Sequence, residues 1–218
     1  MLYFTHKLLN EEQINEISNG VLSSKDWVDG KVSSMGNQVK KNLQLHVQGE
    51  NYVKFSNKII NIVKEDITVQ TAVFPSKIHN ILFTRTGGGM FYGTHYDTPH
   101  IPSGRRDLSF TIFLNEKKDY EGGELILYVP PEKKTIKLNP GEMIIYPTKY
   151  LHEVKEVTQG ERMVCVGWIE SLIPNHEDRE SLHLFKSATK ALENKLGDQP
   201  VIQSLNISFN NIFKRLMT

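Results

Sequence analysis

The chain has 218 residues, with 26 Lys plus Arg against 25 Asp plus Glu and a formal net charge of +1. That length fits one domain able to bury its own core, and the near-neutral balance gives no basic footprint for nucleic acid. A single cysteine, Cys165, excludes an intrachain disulfide framework, and no apolar run approaches the roughly 18–20 residues of a membrane span. The N-terminus also lacks the charged and apolar regions of a signal peptide, so a soluble cytoplasmic protein is expected.

In chain order, residues 8–22 place Leu9, Ile14, Ile17 and Val21 on one helical face. Asn10 is the expected N-cap, with Gln13 three residues later and Gly20 near the end. A second amphipathic helix is expected over 52–65 from Val53, Ile59, Ile60 and Val63. From about residue 80 to 170 the period shortens to two: Leu108, Phe110, Ile112 and Leu114 alternate with Ser109, Thr111 and Phe113. The segments ELILYVP, TIKL, EMIIYP and RMVCVGWIE follow, separated by Gly122-Gly123, Pro130-Pro131, Pro140-Gly141, Pro147 and Gly160. Many short strands between turn signals predict a sandwich, jelly roll or small barrel. Helical spacing returns over 178–195 (Leu182, Phe185, Ala188) and 203–217 (Leu205, Phe209, Ile212, Phe213). No segment reads as a linker. The expected organisation is an α+β unit over residues 1–175, its β core at about 80–170, with 176–218 as a helical extension packed on it.

The segment THYDTPH sets His95 and Asp97 two residues apart, and in an extended strand side chains at that spacing share a face. The pair alone suits a polar strand end equally well. His152, in YPTKYLHEV, adds a third candidate. Two His and one carboxylate form a facial triad that leaves three iron positions open, two for a chelating 2-oxo acid and one for O2. A structural zinc would normally take four protein ligands, which one cysteine disfavours. Arg162, ten residues after His152, offers a planar donor fork for the far carboxylate of such an acid. Its period-two partners are Val164, Val166 and Trp168, so it is either an inward-facing cation with a partner or a strand-end exception after Gly160.

Taken together, TRTGGGMFYGTHYD, RRDLSFTIFLNE, DYEGGELIL, KLNPGEMIIYPTKYLHEVKEVTQGERM and GWIES resemble the PKHD-type hydroxylases. These belong to the prolyl 4-hydroxylase-like branch of the Fe(II)/2-oxoglutarate-dependent dioxygenases. WVDGKV, VKKNLQL and NNIFKRL extend the resemblance over almost the whole chain. It implies a double-stranded β-helix (jelly-roll) core, ferrous iron, Fe(2+), on His95, Asp97 and His152, and 2-oxoglutarate on Arg162. It also implies L-ascorbate (vitamin C) as a supporting reductant. The implied reaction consumes O2 and 2-oxoglutarate, releases succinate and CO2, and hydroxylates a peptidyl, amino-acid or small-molecule substrate. Nine residues before His95 the family commonly carries a Tyr that supports the co-substrate; here that place is Thr86, and Tyr92 is a second candidate for the role.

Other features are read as structural. Gly87-Gly88-Gly89 lacks the Lys-Ser/Thr of a phosphate loop, and TPHIPSGRR (98–106) has the length of a lid whose Arg105 and Arg106 are by default exposed. Asn42 is either a pocket residue or a surface one. His100 breaks the ligand spacing, and His6, His46, His79, His176 and His183 have none. Trp168 is expected inside the barrel and Cys165 on the opposite face as buried filler. Two competing readings are kept. An oxidative demethylase of nucleic-acid bases would carry a second Arg where Trp168 stands. A non-catalytic metal-binding jelly-roll module would keep iron without 2-oxoglutarate affinity.

Overall fold

The computed structural model describes residues 3–33 and 39–217. Strand β1 (Phe4–Lys7) leads into helix α1 (Glu11–Leu22), then β2 (Trp27–Asp29), β3 (Lys40–Lys41) and β4 (Leu43–Leu45). Helices α2 (Glu50–Glu65) and α3 (Ile67–Val73) come next. The strands β5 (Pro75–Gly87), β6 (Met90–His95), β7 (His100–Ile101), β8 (Gly104–Arg105), β9 (Leu108–Phe113) and β10 (Tyr120–Gly122) follow. The β region ends with β11 (Leu125–Val129), β12 (Glu132–Ile136), β13 (Glu142–Pro147) and β14 (His152–Ser171), before α4 (His176–Leu196) and α5 (Pro200–Leu216).

Local chemistry explains the helix boundaries. Asn10 accepts the Gln13 amide while the Gln13 side chain accepts the Asn10 amide, the reciprocal cap expected for α1. Ile17 and Val21, one turn apart, are buried, and Gly20 lets the Phe55 ring approach where a Cβ would lie 2.1 Å from Cζ. Along α2 the buried stripe is Phe55, Ile59 and Val63, with Ile60 partly buried beside it; of the four expected apolar positions only Val53 is exposed, and Phe55 takes its place on the buried face. Burying a side chain such as Phe55 contributes about 2 kcal/mol. Asp66 ends α2 and caps α3, a helix that is too short for periodicity to reveal.

The strands form two sheets joined through β14. One runs β1-β13-β9-β14-β5-β4-β2; in the other, β14 pairs with β6, β10 and β11, while β12 flanks β11 and β3 flanks β6. Every pairing between these strands is antiparallel. The helices cover the outer face of the first sheet, where Leu108, Phe110, Ile112, Met163 and Cys165 meet Ile17, Phe55 and Ile59. A second core of Phe113, Leu125, Leu127, Ile144 and Val164 lies between the sheets. This is the expected jelly roll. The pair α4–α5 packs Leu182 and Phe209 on Phe74 and Ile173. Among the described residues no helix is long and apolar enough to cross a membrane.

Strand β14 is 20 residues long because it serves both sheets. Its first half pairs with β6, β10 and β11, and from Glu161 onward it pairs with β5, joined from Val164 by β9. Gly160 stands at the change of partners with φ 74°, and a Cβ there would lie 2.0 Å from the Asp119 carbonyl oxygen. Gly160→Ala is therefore expected to cost at least ~2 kcal/mol, lowering Tm by roughly 4–8 °C in a thermal melt. An unchanged Tm would show that the corner does not need glycine.

Candidate metal and co-substrate site

The open end of the roll holds a cavity of about 510 Å³, and its wall includes every site residue anticipated from the sequence: Thr86, Tyr92, His95, Asp97, His152 and Arg162. His95 ends β6 and His152 opens β14, and the two are directly paired across the antiparallel ladder. Direct pairing puts two side chains on the same face of a sheet. Their rings are 4.2 Å apart between centroids. The Nε2 atom of His95 lies 3.8 Å from Asp97 Oδ1, and that of His152 lies 3.7 Å from Asp97 Oδ2. One candidate ligand atom from each residue falls within 4.8 Å of the other two.

The anticipated route to this cluster needs one correction. Asp97 is not on the strand: β6 stops at His95, and Asp97 lies in the irregular segment beyond it. Strand alternation therefore does not aim the carboxylate. Two side chains hold it instead, Ser109 Oγ donating to Oδ2 at 2.7 Å and the indole N–H of Trp168 donating to the same oxygen at 2.9 Å. Both residues occupy inward positions of the alternating strands β9 and β14; that parity was legible, but not its target.

The imidazoles are fixed by the backbone. His95 Nδ1 donates to the Gly93 carbonyl at 2.8 Å and His152 Nδ1 to the Tyr150 carbonyl at 3.0 Å. A carbonyl can only accept, so the proton sits on Nδ1 and the Nε2 lone pair faces the cluster. Burial, followed by the neighbouring His152, pulls His95 down to about 4, which keeps the ring neutral near pH 7. Two imidazole lone pairs and one carboxylate are a donor set suited to Fe(II) with positions left open.

Arg162 is 3% exposed, and its Nε has no hydrogen-bond partner among the described residues. Burial lowers its pKa, while Tyr120 and Tyr146 oppose that shift. Thr86 is its direct partner on β5 and is also buried, so both face the cavity together. Tyr92 lines the same cavity. Its ring stacks on His95, the ring centroids 3.6 Å apart, which gives it a place beside that imidazole. Tyr146, which sequence reading did not single out, packs edge-on to His152 at 5.3 Å and is buried in the same wall. Val164, Val166 and Trp168 line the cavity with Arg162 as their spacing predicted, and Asn42 lines it too. The short hairpin β7–β8 is tied back by Ser103 to His79 (3.2 Å), while Arg105 lies 3.6 Å from Glu170.

Residues 81–170 match the family model described as the 2OG-Fe(II) oxygenase superfamily. A PKHD-type hydroxylase of Prochlorococcus marinus strain NATL2A is 41% identical over 219 residues, covering 99% of each chain. Another, of strain MIT 9211, is 41% identical with 97% of each chain covered. The fold is shared with a Pseudomonas putida prolyl-4-hydroxylase (TM-score 0.57, 14% identity, 78% of this chain and 92% of that one). It is also shared with a Trichoplax adhaerens prolyl hydroxylase solved with a hypoxia inducible factor peptide fragment (TM-score 0.59, 17% identity, 83% of this chain and 86% of that one). The chain therefore belongs to the PKHD-type hydroxylases of the 2OG-Fe(II) oxygenase superfamily, and it is a 2-oxoglutarate-dependent dioxygenase.

Proposed function

We propose that His95, Asp97 and His152 hold the Fe(II) this family uses, that Arg162 with Thr86 binds the far carboxylate of 2-oxoglutarate, and that a peptidyl, amino-acid or small-molecule substrate fills the rest of the cavity. The observation that carries this reading is one cavity walled by both the three-residue cluster and the buried Arg162, whose Nε has no hydrogen-bond partner among the described residues. When bound, the metal supplies the centre for O2 activation and 2-oxoglutarate oxidation, giving succinate and CO2. The chain's own share is positional and electrostatic. The Gly93 and Tyr150 carbonyls keep both Nε2 lone pairs turned inward, and Ser109 with Trp168 keeps the carboxylate from rotating away. Arg162 answers an anion from a wall it shares with Val164, its guanidinium over the Phe113 ring behind.

Residues 1–175 form the catalytic unit in this reading and 176–218 the extension. A peptide substrate is supported by the peptide bound to the Trichoplax relative. L-ascorbate is the reductant expected to restore the ferrous state after turnover without substrate. A reducing cytoplasm suits such a site and the single buried Cys165. Where a base demethylase would place its second Arg, Trp168 is committed to Asp97.

His95→Ala is expected to abolish Fe(II)-dependent succinate release from 2-oxoglutarate; full turnover in that variant would refute the ligand assignment. Arg162→Leu leaves a dianion without its partner, a loss of about 2–5 kcal/mol, so the KM for 2-oxoglutarate should rise at least ~30-fold. Mn(II) affinity, read by calorimetry, should not change. Trp168→Phe keeps the packing and removes one hydrogen bond to Asp97, so Mn(II) affinity should fall about tenfold. Equal affinity would mean that Ser109 alone orients the carboxylate.

A further inference from the structure

The charges lining the cavity do not balance once the iron and co-substrate are counted. Asp97 is the one acidic side chain among the described lining residues, whereas Lys40, Arg106 and Arg162 bring three cations. A metal dication, the Asp97 carboxylate, dianionic 2-oxoglutarate and Arg162 together sum to zero. Lys40 and Arg106 are left over. Arg106 stacks on Trp168, with its carbon centre 4.1 Å from the ring, and is only half-buried. Lys40 is the stronger anomaly.

Lys40 is 4% exposed, an unusual place for a lysine without an ion pair. It lies on β3 directly opposite Tyr92, its ammonium 2.5 Å from the Ser33 hydroxyl and 5.3 Å from the Tyr92 ring centroid. A hydroxyl and a ring face solvate an ammonium weakly, and no carboxylate among the described residues forms an ion pair with it; Asp97 and Asp29 act only at longer range. Burial accordingly draws its pKa down to about 8. The location is as informative as the charge. Tyr92 stacks on His95, so the ammonium stands one ring away from the metal-facing imidazole, in the wall of a cavity roomier than 2-oxoglutarate alone needs.

Resting on the site assignment above, we propose that Lys40 anchors a carboxylate of the primary substrate, so that the enzyme hydroxylates an acidic molecule. Binding would complete a buried ion pair that the free enzyme lacks, and would hold the carbons next to that carboxylate near the open metal positions. A lysine presents three donors on a flexible stem, so it accepts a carboxylate without fixing its plane. Its partner is either a free α-carboxylate, as in an amino acid or a chain end, or an acidic side chain.

Calorimetry on the full chain loaded with Mn(II) and 2-oxoglutarate, which cannot turn over, separates these cases. The probes are a panel of N-acetyl amino acids, the same compounds as C-terminal amides, and N-acetyl-aspartate and N-acetyl-glutamate α-amides. Carboxylate probes should bind at least ~10-fold more tightly than neutral amides. Preference among the charged arms identifies the α-carboxylate or the side chain as the source. Lys40→Met, close in length and compatible with burial, should erase the preference while Mn(II) and 2-oxoglutarate affinities hold, and Lys40→Arg should restore part of it. The proposal is overturned if the wild type binds amides and carboxylates alike or binds none of them. It is equally overturned if Lys40→Met keeps the preference, or if that variant loses 2-oxoglutarate, which would put Lys40 in the co-substrate subsite. Failure of the wild type to bind 2-oxoglutarate is a separate result, and it would bring down the site assignment itself.

Discussion

One strand belonging to two sheets is the constraint on which the rest of this structure depends. β14 enters beside β6 and leaves beside β5 and β9, turning at Gly160 where only a residue without Cβ fits against the Asp119 carbonyl. Because its alternation runs inward through Arg162, Val164, Val166 and Trp168, one strand supplies the arginine proposed for the co-substrate and a hydrogen bond to Asp97. His152, at its start, comes from the same strand and pairs with His95 through the ladder. A displacement of β14 would therefore disturb three parts of the site together. That concentration suits a reaction whose requirement is that several weakly held groups share one geometry.

The His95–Asp97–His152 cluster is oriented by the chain around it. Backbone carbonyls select the tautomer of both imidazoles, burial keeps His95 neutral, and two donors converge on a single oxygen of Asp97. Each device lowers the rearrangement needed on binding, so affinity is not spent on reorienting ligands. The opposite holds at Arg162 and Lys40, where buried cations have too few partners. Groups of that kind destabilise the empty protein and gain most when an anion arrives. The fold is thus finished around the cation site and unfinished around the anion sites, which is the division expected of an enzyme that holds its metal and exchanges its organic ligands.

How much of this was legible in the sequence depended on the range of the interaction. The cap at Asn10 and Gln13 joins residues three apart, and it read correctly. Alternation separated Ser109 and Thr111 from Leu108, Phe110 and Ile112, and grouped Arg162 with Val164, Val166 and Trp168, because period two is a property of the strand itself; which β9 face turns to the cavity was decided by packing. The proposed third ligand, His152, and the proposed co-substrate arginine, Arg162, came from residue type and order together with the likeness to PKHD-type hydroxylases. Asp97 was identified for an incorrect reason: its orientation comes from Ser109 and Trp168, which are distant in the chain. The stacking of Tyr92 on His95 was not legible, and Lys40 left no signal because β3 has two residues and hence no period.

By itself, then, the sequence determined the residue types and spacing of the candidate cluster and the order of helices and strands, which rest on residue chemistry and local spacing, while the chain-long likeness to PKHD-type hydroxylases supplied the reaction class. Only the tertiary structure decided what holds Asp97, what Tyr92 covers and that Lys40 is buried in the cavity wall without an ion pair. Those outcomes depend on which strands become neighbours. Neighbours in a sheet are fixed by packing between segments far apart in the chain, and no local pattern encodes that distance.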